Sequence, residues 1–199
     1  ILAGLQGVAA VILRDPDGAG QEVAFCPDLR MPAASLIKLP LVWHFFHECT
    51  LGRLDPDEVV PVPPAALTPG FGVLRSLAPG LTLRLRHLAA LAILVSDNTA
   101  TNLLIDRLGI DPVNCTIGDL GMAQTVLMRK MYDYRDPAKN NFTTARDIAT
   151  FYSVLLRGDG LDPDWRDEFM RCLLGQQCRN KLPSGLPRAA MLAHKTGDQ

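Results

Sequence analysis

Ser35-Leu36-Ile37-Lys38-Leu39-Pro40-Leu41-Val42-Trp43-His44-Phe45-Phe46 is the stretch on which the reading of this chain turns. A hydroxyl and an amine stand three residues apart, and an apolar run follows them. Helix from Ser35 to Thr50 is expected. Positions i and i+3 lie on one helix face, so Ser35 and Lys38 can meet. Serine is a poor nucleophile until a base takes its proton. Lys38 must be neutral to be that base, so burial or a neighbouring cation has to pull its pKa down from about 10.4. A helix N-terminus at Ser35 would also aim free N–H groups at a reacting carbonyl. Pro40 removes a backbone donor just past the first turn and should bend the helix without stopping it. Alone, the string also describes an amphipathic helix with one surface lysine.

Two further strings change that balance: Ser96-Asp97-Asn98, and Lys195-Thr196-Gly197. Each is weak alone. Together and in this order they form the motif set of serine acyl-transfer chemistry with lysine as base. Gly70-Phe71-Gly72, the run Ser96 to Leu104 and Thr143-Thr144 ahead of a helix add to it. On these residues the chain resembles the class A β-lactamase family, within the penicillin-recognising serine enzymes, from about Val8 to Asp198.

The resemblance implies Ser35 as nucleophile, Lys38 as base, and Ser96 as a second hydroxyl passing a proton to the leaving nitrogen. Asn98 would hold the substrate's side-chain amide, and Lys195 and Thr196 its carboxylate. Gly197 would permit close approach, and the backbone N–H groups of Ser35 and Asp198 would form an oxyanion hole. Asp97 is expected to fix the turn rather than touch substrate, and Ser-Asp-Asn also suits a helix cap. No metal or organic cofactor is implied. The expected partner is a small β-lactam or peptidoglycan-like molecule. A periplasmic or secreted location is expected from the family alone.

The order of elements agrees with an α/β fold. Val8–Leu13 and Gln21–Phe25 read as a hairpin about Asp15-Pro16-Asp17-Gly18. Leu54–Ala78, rich in proline and glycine, reads as an irregular connection. Thr82 can cap a helix carrying Leu85, Leu88, Leu91, Ala92 and Val95. A helix from Thr99 to Leu108 should stop at Gly109. Thr144-Ala145-Arg146-Asp147 opens a helix through Leu156, and Asp162-Pro163 another through Leu174. Ala189–Thr196 reads as a strand. The layout is a mixed α/β fold of the β-lactamase/transpeptidase type. An antiparallel-sheet lobe is drawn from residues 1–34 and 180–199, and a mainly helical lobe, 35–179, carries Ser35 and Ser96-Asp97-Asn98.

Bulk properties exclude other classes. The 199 residues carry a net charge of −1 and no basic run, which argues against a nucleic-acid partner. No apolar stretch reaches the roughly 18 residues of a membrane span. Five cysteines without regular spacing predict free, buried thiols rather than disulfides. Four histidines make no metal pattern; His44 and His47 share a helix face and read as a packed or solvated pair.

The chain departs from the family at two places. A class A β-lactamase uses a glutamate on an Ω-shaped loop to activate the deacylating water. The matching segment, Met128 to Asn141, has none, and the chain's glutamates are Glu22, Glu48, Glu58 and Glu168. Asp136 and Asp133 are the nearest carboxylates. Asp136 is the candidate substitute, against a plain reading of both as exposed loop charges. The family fold also continues past the Lys-Thr-Gly string with two strands and a long helix. The polypeptide is therefore expected to be longer, with the Lys195 strand otherwise left as an open edge and the N-terminal helix reduced to Ile1–Gly7. Three other functions stay open: a penicillin-binding D-alanyl peptidase or esterase, a sensor acylated once and held, and a scaffold that retains the motifs without activity.

Overall fold

The computed structural model describes residues 7–15, 20–77, 80–187 and 189–198. The hairpin turn expected at residues 16–18 and the helix stub before Gly7 lie outside them. Six helices and three small antiparallel sheets are present among the described residues. Strand β1 (Val11–Leu13) pairs with β2 (Val23–Phe25), as the sequence pattern implied. β3 (Met31–Pro32) pairs with β6 (Phe142–Thr143), and β4 (Val59–Pro61) with β5 (Thr82–Arg84).

Helix α1 (Lys38–Thr50) is the axis of the core. A 3-10 turn, Ala34–Ile37, leads into it. Leu39, Leu41, Val42, Phe45 and Phe46 are buried on it, which is wider than one amphipathic stripe. The reason is position: α2 (Leu85–Leu94), α3 (Asn98–Leu108), α4 (Ile110–Asp119) and α6 (Pro163–Leu174) all pack on α1. A helix enclosed on every side must be apolar all round. Pro40 is tolerated at its third residue, where the helix has no donor to lose. Phe46, Phe151 and Phe169 form an aromatic cluster at the far end, with the Phe46 and Phe151 ring centroids 5.6 and 6.0 Å from that of Phe169.

Two of the expected capping signals, at Thr144 and Asp162, place helix starts correctly. The Thr144 hydroxyl accepts from the Asp147 N–H and opens α5 (Ala145–Arg157); the Asp162 carboxylate accepts from the Asp164 N–H and opens α6. Gly109, at φ 83°, ends α3. Four points need correction. Thr82 does not cap α2: residues 82–84 pair with 59–61, and α2 begins at Leu85. α4, opened by the same Gly109, has no counterpart in the sequence reading. Residues 189–196 make no strand, because no described strand runs beside them. Their main chain is held by the His194 N–H donating to Leu173 O, 3.2 Å, and by a bond between the Lys195 main chain and the Tyr152 phenol. The five thiols are unbridged as expected, yet only Cys172 is buried, and Cys26 and Cys115 are exposed. Burial pushes the Cys172 thiol up to about 11 and that of half-buried Cys49 to about 12.

Phe169 is fully buried among rings that have no freedom to collapse. Phe169→Ala should lower unfolding free energy by about 3–5 kcal/mol. Urea denaturation should show this as a lower midpoint with an unchanged slope.

Candidate active site

Three chain segments converge at the head of α1. The first is the turn bearing Ser35. Ala34 sits before it with φ 45°, a conformation costly for a residue with a Cβ. The turn is fastened from behind by the Ala33 N–H, which donates to Asn141 O at 2.8 Å. The second is Ser96-Asp97-Asn98, between α2 and α3. The third is the extended segment ending in Lys195-Thr196-Gly197.

Asp97 explains the second segment. One carboxylate oxygen accepts from the Ala100 N–H at 2.9 Å, capping α3; the other accepts from Val73 N–H (2.6 Å) and Leu74 N–H (2.9 Å). It is a hub for three main-chain donors and fixes the turn, as expected. The hub needs close approach of the 70–74 loop. A Cβ on Gly72, at φ 120°, would lie 2.6 Å from the Asp97 Cα and nearer still to its carboxylate. Gly70, at φ 83°, leaves room for the Tyr132 ring. These contacts account for Gly70-Phe71-Gly72.

Lys38 is wholly buried. Its nitrogen lies 2.7 Å from Ser96 O, 2.8 Å from Asn98 Oδ1 and 3.1 Å from Ser96 Oγ. Lys195 Nζ reaches the same Ser96 Oγ at 2.9 Å and also donates to Thr196 O at 2.8 Å. Two amines therefore share one hydroxyl. Burial is the main force pulling the Lys38 pKa well below its usual value, and the Lys195 charge pulls it further, against Asp97. Burial likewise draws Lys195 down, to about 8. The downward shift favours the neutral form of Lys38, and the arrangement consistent with it is a neutral Lys38 beside a charged Lys195. Lys195 then donates to Ser96 Oγ, Ser96 donates to the Lys38 lone pair, and Lys38 donates to its two carbonyl acceptors. The hydrogen-bond partners of Lys38 are Ser96 O, Ser96 Oγ and Asn98 Oδ1, and Ser35 Oγ is not among them. Such contacts often tighten only when substrate binds.

Ser35, Asn98 and Asp198 line a cavity of about 310 Å³. Gly197 packs against the Ser35 turn: a Cβ there would lie 3.3 Å from both Ala33 O and the Leu36 side chain. Lys181 secures the Asp198 end, donating to Gly197 O at 2.6 Å and pairing with the Asp198 carboxylate at 2.5 Å. Asn98 holds the loop to Pro69 O at 2.8 Å through its amide nitrogen, leaving one amide hydrogen for a ligand.

The 128–141 segment forms the remaining wall with Arg129, Met131, Tyr132, Tyr134, Asn140 and Asn141. None of these is a carboxylate. Asp136 does not reach this cavity: it is exposed, accepts from the Ala138 N–H and lines a different hollow with Lys139. Asp133 is held by Nε and one terminal nitrogen of Arg135, which draw its pKa down to about 2. Reasoning from the sequence missed Asn141. Its amide accepts from the Met128 and Arg129 N–H groups and donates to Arg129 O, closing the neck of the loop. An asparagine beside the start of a strand, inside an otherwise irregular segment, is the one signal that could have marked it. Among the described residues no three His, Cys, Asp or Glu side chains are placed to hold a metal.

Residues 1–199 match the beta-lactamase enzyme family. The chain belongs to that family. It is 30% identical over 186 residues to Beta-lactamase AST-1 of Nocardia asteroides, covering 90% of this chain and 59% of that protein. It is 30% identical over 197 residues to a beta-lactamase of Streptomyces fradiae, covering 90% and 61%. The chain thus spans about six tenths of the length of these relatives. Among solved structures, a beta-lactamase from Sphaerobacter thermophilus superposes with a TM-score of 0.82 at 35% identity, over 89% of this chain and 67% of that one. PBP-A superposes with a TM-score of 0.82 at 34% identity, over 90% and 67%. The mixed α/β fold expected from the sequence is the fold of these proteins.

The Asp97 hub is testable by sterics. Gly72→Ala should cost more than about 3 kcal/mol, since it adds a clash with Asp97 to the strain of a positive φ. Gly52→Ala, also at positive φ but with nothing within 4 Å of a Cβ, should cost only about 1–2 kcal/mol. Equal denaturation midpoints for the two variants would refute the close-approach account.

Proposed function

We propose that this β-lactamase-family protein is a serine acyl-transfer enzyme, opening β-lactams or related amides and esters through an acyl-enzyme on Ser35 and releasing the acyl group slowly. The observation that carries the reading is the single Ser96 hydroxyl held between two buried lysines of lowered pKa. It supplies a neutral base, a cation and a proton relay at one point.

In the proposed sequence, Ser35 Oγ attacks the carbonyl carbon and its proton passes to Lys38. The carbonyl oxygen takes up negative charge against the N–H groups of Ser35 and Asp198, each such donor contributing roughly 3 kcal/mol. Lys38 then returns the proton through Ser96 to the leaving nitrogen, and the C–N bond breaks. Asn98 holds the acyl-side amide, Lys195 and Thr196 the carboxylate, and Gly197 lets the substrate lie close. Hydrolysis of the ester requires a base beside its water. The 128–141 wall presents Arg129, Asn140 and Asn141 where a carboxylate would serve, so deacylation is the slow step. No step calls for a metal or cofactor.

That wall also favours a second reading, a penicillin-binding enzyme whose adduct persists. A mutant of PBP-A has been solved as an acyl-enzyme complex with penicillin G, and this chain is 34% identical to it. No helix among the described residues is long and apolar enough to cross a membrane. Export to the periplasm or medium remains a proposal from family kinship.

Intact mass followed over time with benzylpenicillin, alongside lactam loss, tests both readings. Continued lactam loss with a transient adduct is expected of the hydrolase. Loss that stops at one equivalent, with a lasting adduct, assigns the penicillin-binding reading. Ser35→Ala should give no adduct, and Lys38→Ala should acylate at least about a hundredfold more slowly, the usual weight of a general base. An unchanged rate in Lys38→Ala would remove its role.

The pH profile follows from the two lysines. Acylation efficiency should rise as pH climbs through the lowered Lys38 pKa, and fall above about pH 8 as Lys195 loses its charge. Lys195→Arg, which stays protonated, should abolish the alkaline fall. A profile that is flat from pH 7 to well above 8 in the unaltered protein would contradict the assignment.

A further inference from the structure

Arg129 stands in the wall of the Ser35 cavity without an ion-pair partner among the described residues. Its guanidinium carbon lies 4.5 Å from the centroid of the Tyr134 ring, well inside the range of a cation–π contact. One terminal nitrogen donates to Asn140 Oδ1 at 2.9 Å, the other to Lys130 O at 3.2 Å. Both acceptors are neutral. Among the described residues no carboxylate lies within ion-pair distance of it. Asp133, close enough to feel its field, is already taken by Nε and one terminal nitrogen of Arg135. Asp198, the acid that does line the cavity, is taken by Lys181. The neighbouring hollow with Asp136 pairs that acid with Lys139 instead. Each of these acidic groups thus has its own cation, and Arg129, which lines both that hollow and the Ser35 cavity, is left with a stack and two neutral bonds.

A guanidinium so placed is preorganised. Tyr134 fixes its plane, Asn140 and Lys130 fix its rotation, and its remaining N–H groups are available to an acceptor. Lys195 and Thr196, the carboxylate holders of the proposed function, are not among the residues lining this cavity, and Lys195 borders a separate hollow beside Tyr152. A ligand acid bound by Arg129 would therefore be a second one, carried on the acyl side of the scissile bond.

Resting on the acyl-transfer reading above, we propose that Arg129, stacked on Tyr134, is a specificity-determining residue that selects acyl donors bearing a carboxylate on the acyl side chain. Arg129 acts on recognition and not on the bond-forming step. Tyr132 and Tyr134 supply an aromatic surface next to the charge, so an aryl group carrying an adjacent acid is the chemistry that fits best.

Carbenicillin and benzylpenicillin differ by one carboxylate on the acyl side chain and share every other feature. The ratio of their acylation rates on the unaltered protein, read by intact mass at limiting concentration, is expected to favour carbenicillin. It should fall as salt is raised, since the contact is between charges at a solvent-open site. Arg129→Gln should lower the ratio about tenfold, the order of a single charge-assisted hydrogen bond. Arg129→Lys should restore part of it, because the charge returns without the planar fork. A variant that merely loosens the loop slows both penicillins together and leaves the ratio alone, so loop damage cannot imitate the effect. A ratio that is insensitive to both salt and Arg129→Gln overturns this assignment and leaves the acyl-enzyme reading intact. The absence of an adduct with either penicillin overturns the acyl-enzyme reading, and this assignment with it.

Discussion

Burying two lysines against one hydroxyl is the constraint around which the rest of the site is arranged. Neither amine can be carried into the interior at ordinary pKa without a large desolvation cost. For Lys38 that cost shows as a pKa drawn well below its usual value, which favours the neutral amine, and for Lys195 as a pKa lowered to about 8, offset by hydrogen bonds to two oxygens. The hydrogen-bond pattern follows. A neutral amine has two donors and one acceptor, and Ser96 O, Asn98 Oδ1 and the Ser96 hydroxyl match that inventory. Ser96 itself has φ 56°, a conformation that serine adopts at a cost. The Asp97 hub holds it there, and Gly72 makes the hub possible.

The site also lowers stability, and the sign is definite. Folding lowers the pKa of Lys195 from 10.5 to about 8. Between these values the unfolded chain binds more protons than the folded one, so stability rises with pH across that window and its benefit is lost below it. Lys38 adds a trend of the same sign, because its pKa is also lowered on folding. At neutral pH, then, the fold carries a penalty for its site, and the enclosed α1 core with its phenylalanine cluster offsets it.

Much of this was legible in the sequence, and the division is physical. Helix ends that depend on local chemistry could be read: Thr144, Asp162 and Asp97 cap, and Gly109 terminates. Elements that depend on a distant partner could not. Thr82-Leu83-Arg84 has a helix start's residues, yet it is claimed by Val59–Pro61, and nothing near residue 82 signals that pairing. α4 follows directly on the Gly109 that ends α3, and the burial of Val113 and Ile117 that holds it in place is a tertiary fact. The same holds for the site. Ser35-Leu36-Ile37-Lys38 and Ser96-Asp97-Asn98 could be found as strings, but the sharing of Ser96 between two lysines is a tertiary fact. The composition of the 128–141 segment showed that glutamate was missing. It could not show that Arg129, Tyr134 and Asn140 line the cavity while Asp136 turns away.

The coupling between the two lysines gives substrate binding a chemical consequence under the acyl-transfer reading. Lys195 lowers the Lys38 pKa by its charge. A substrate carboxylate paired with Lys195 would neutralise much of that field where water is excluded. The Lys38 pKa would then rise, making its lone pair a stronger acceptor at the moment Ser35 must lose a proton. The same carboxylate would hold Lys195 in its charged form above about pH 8, so the alkaline fall belongs to the free protein more than to the complex. Substrate lacking that carboxylate would lose both anchoring and base strength. An acid on the acyl side would be held by Arg129 but would leave the Lys38 pKa alone, because it would not face the Lys195–Ser96–Lys38 chain.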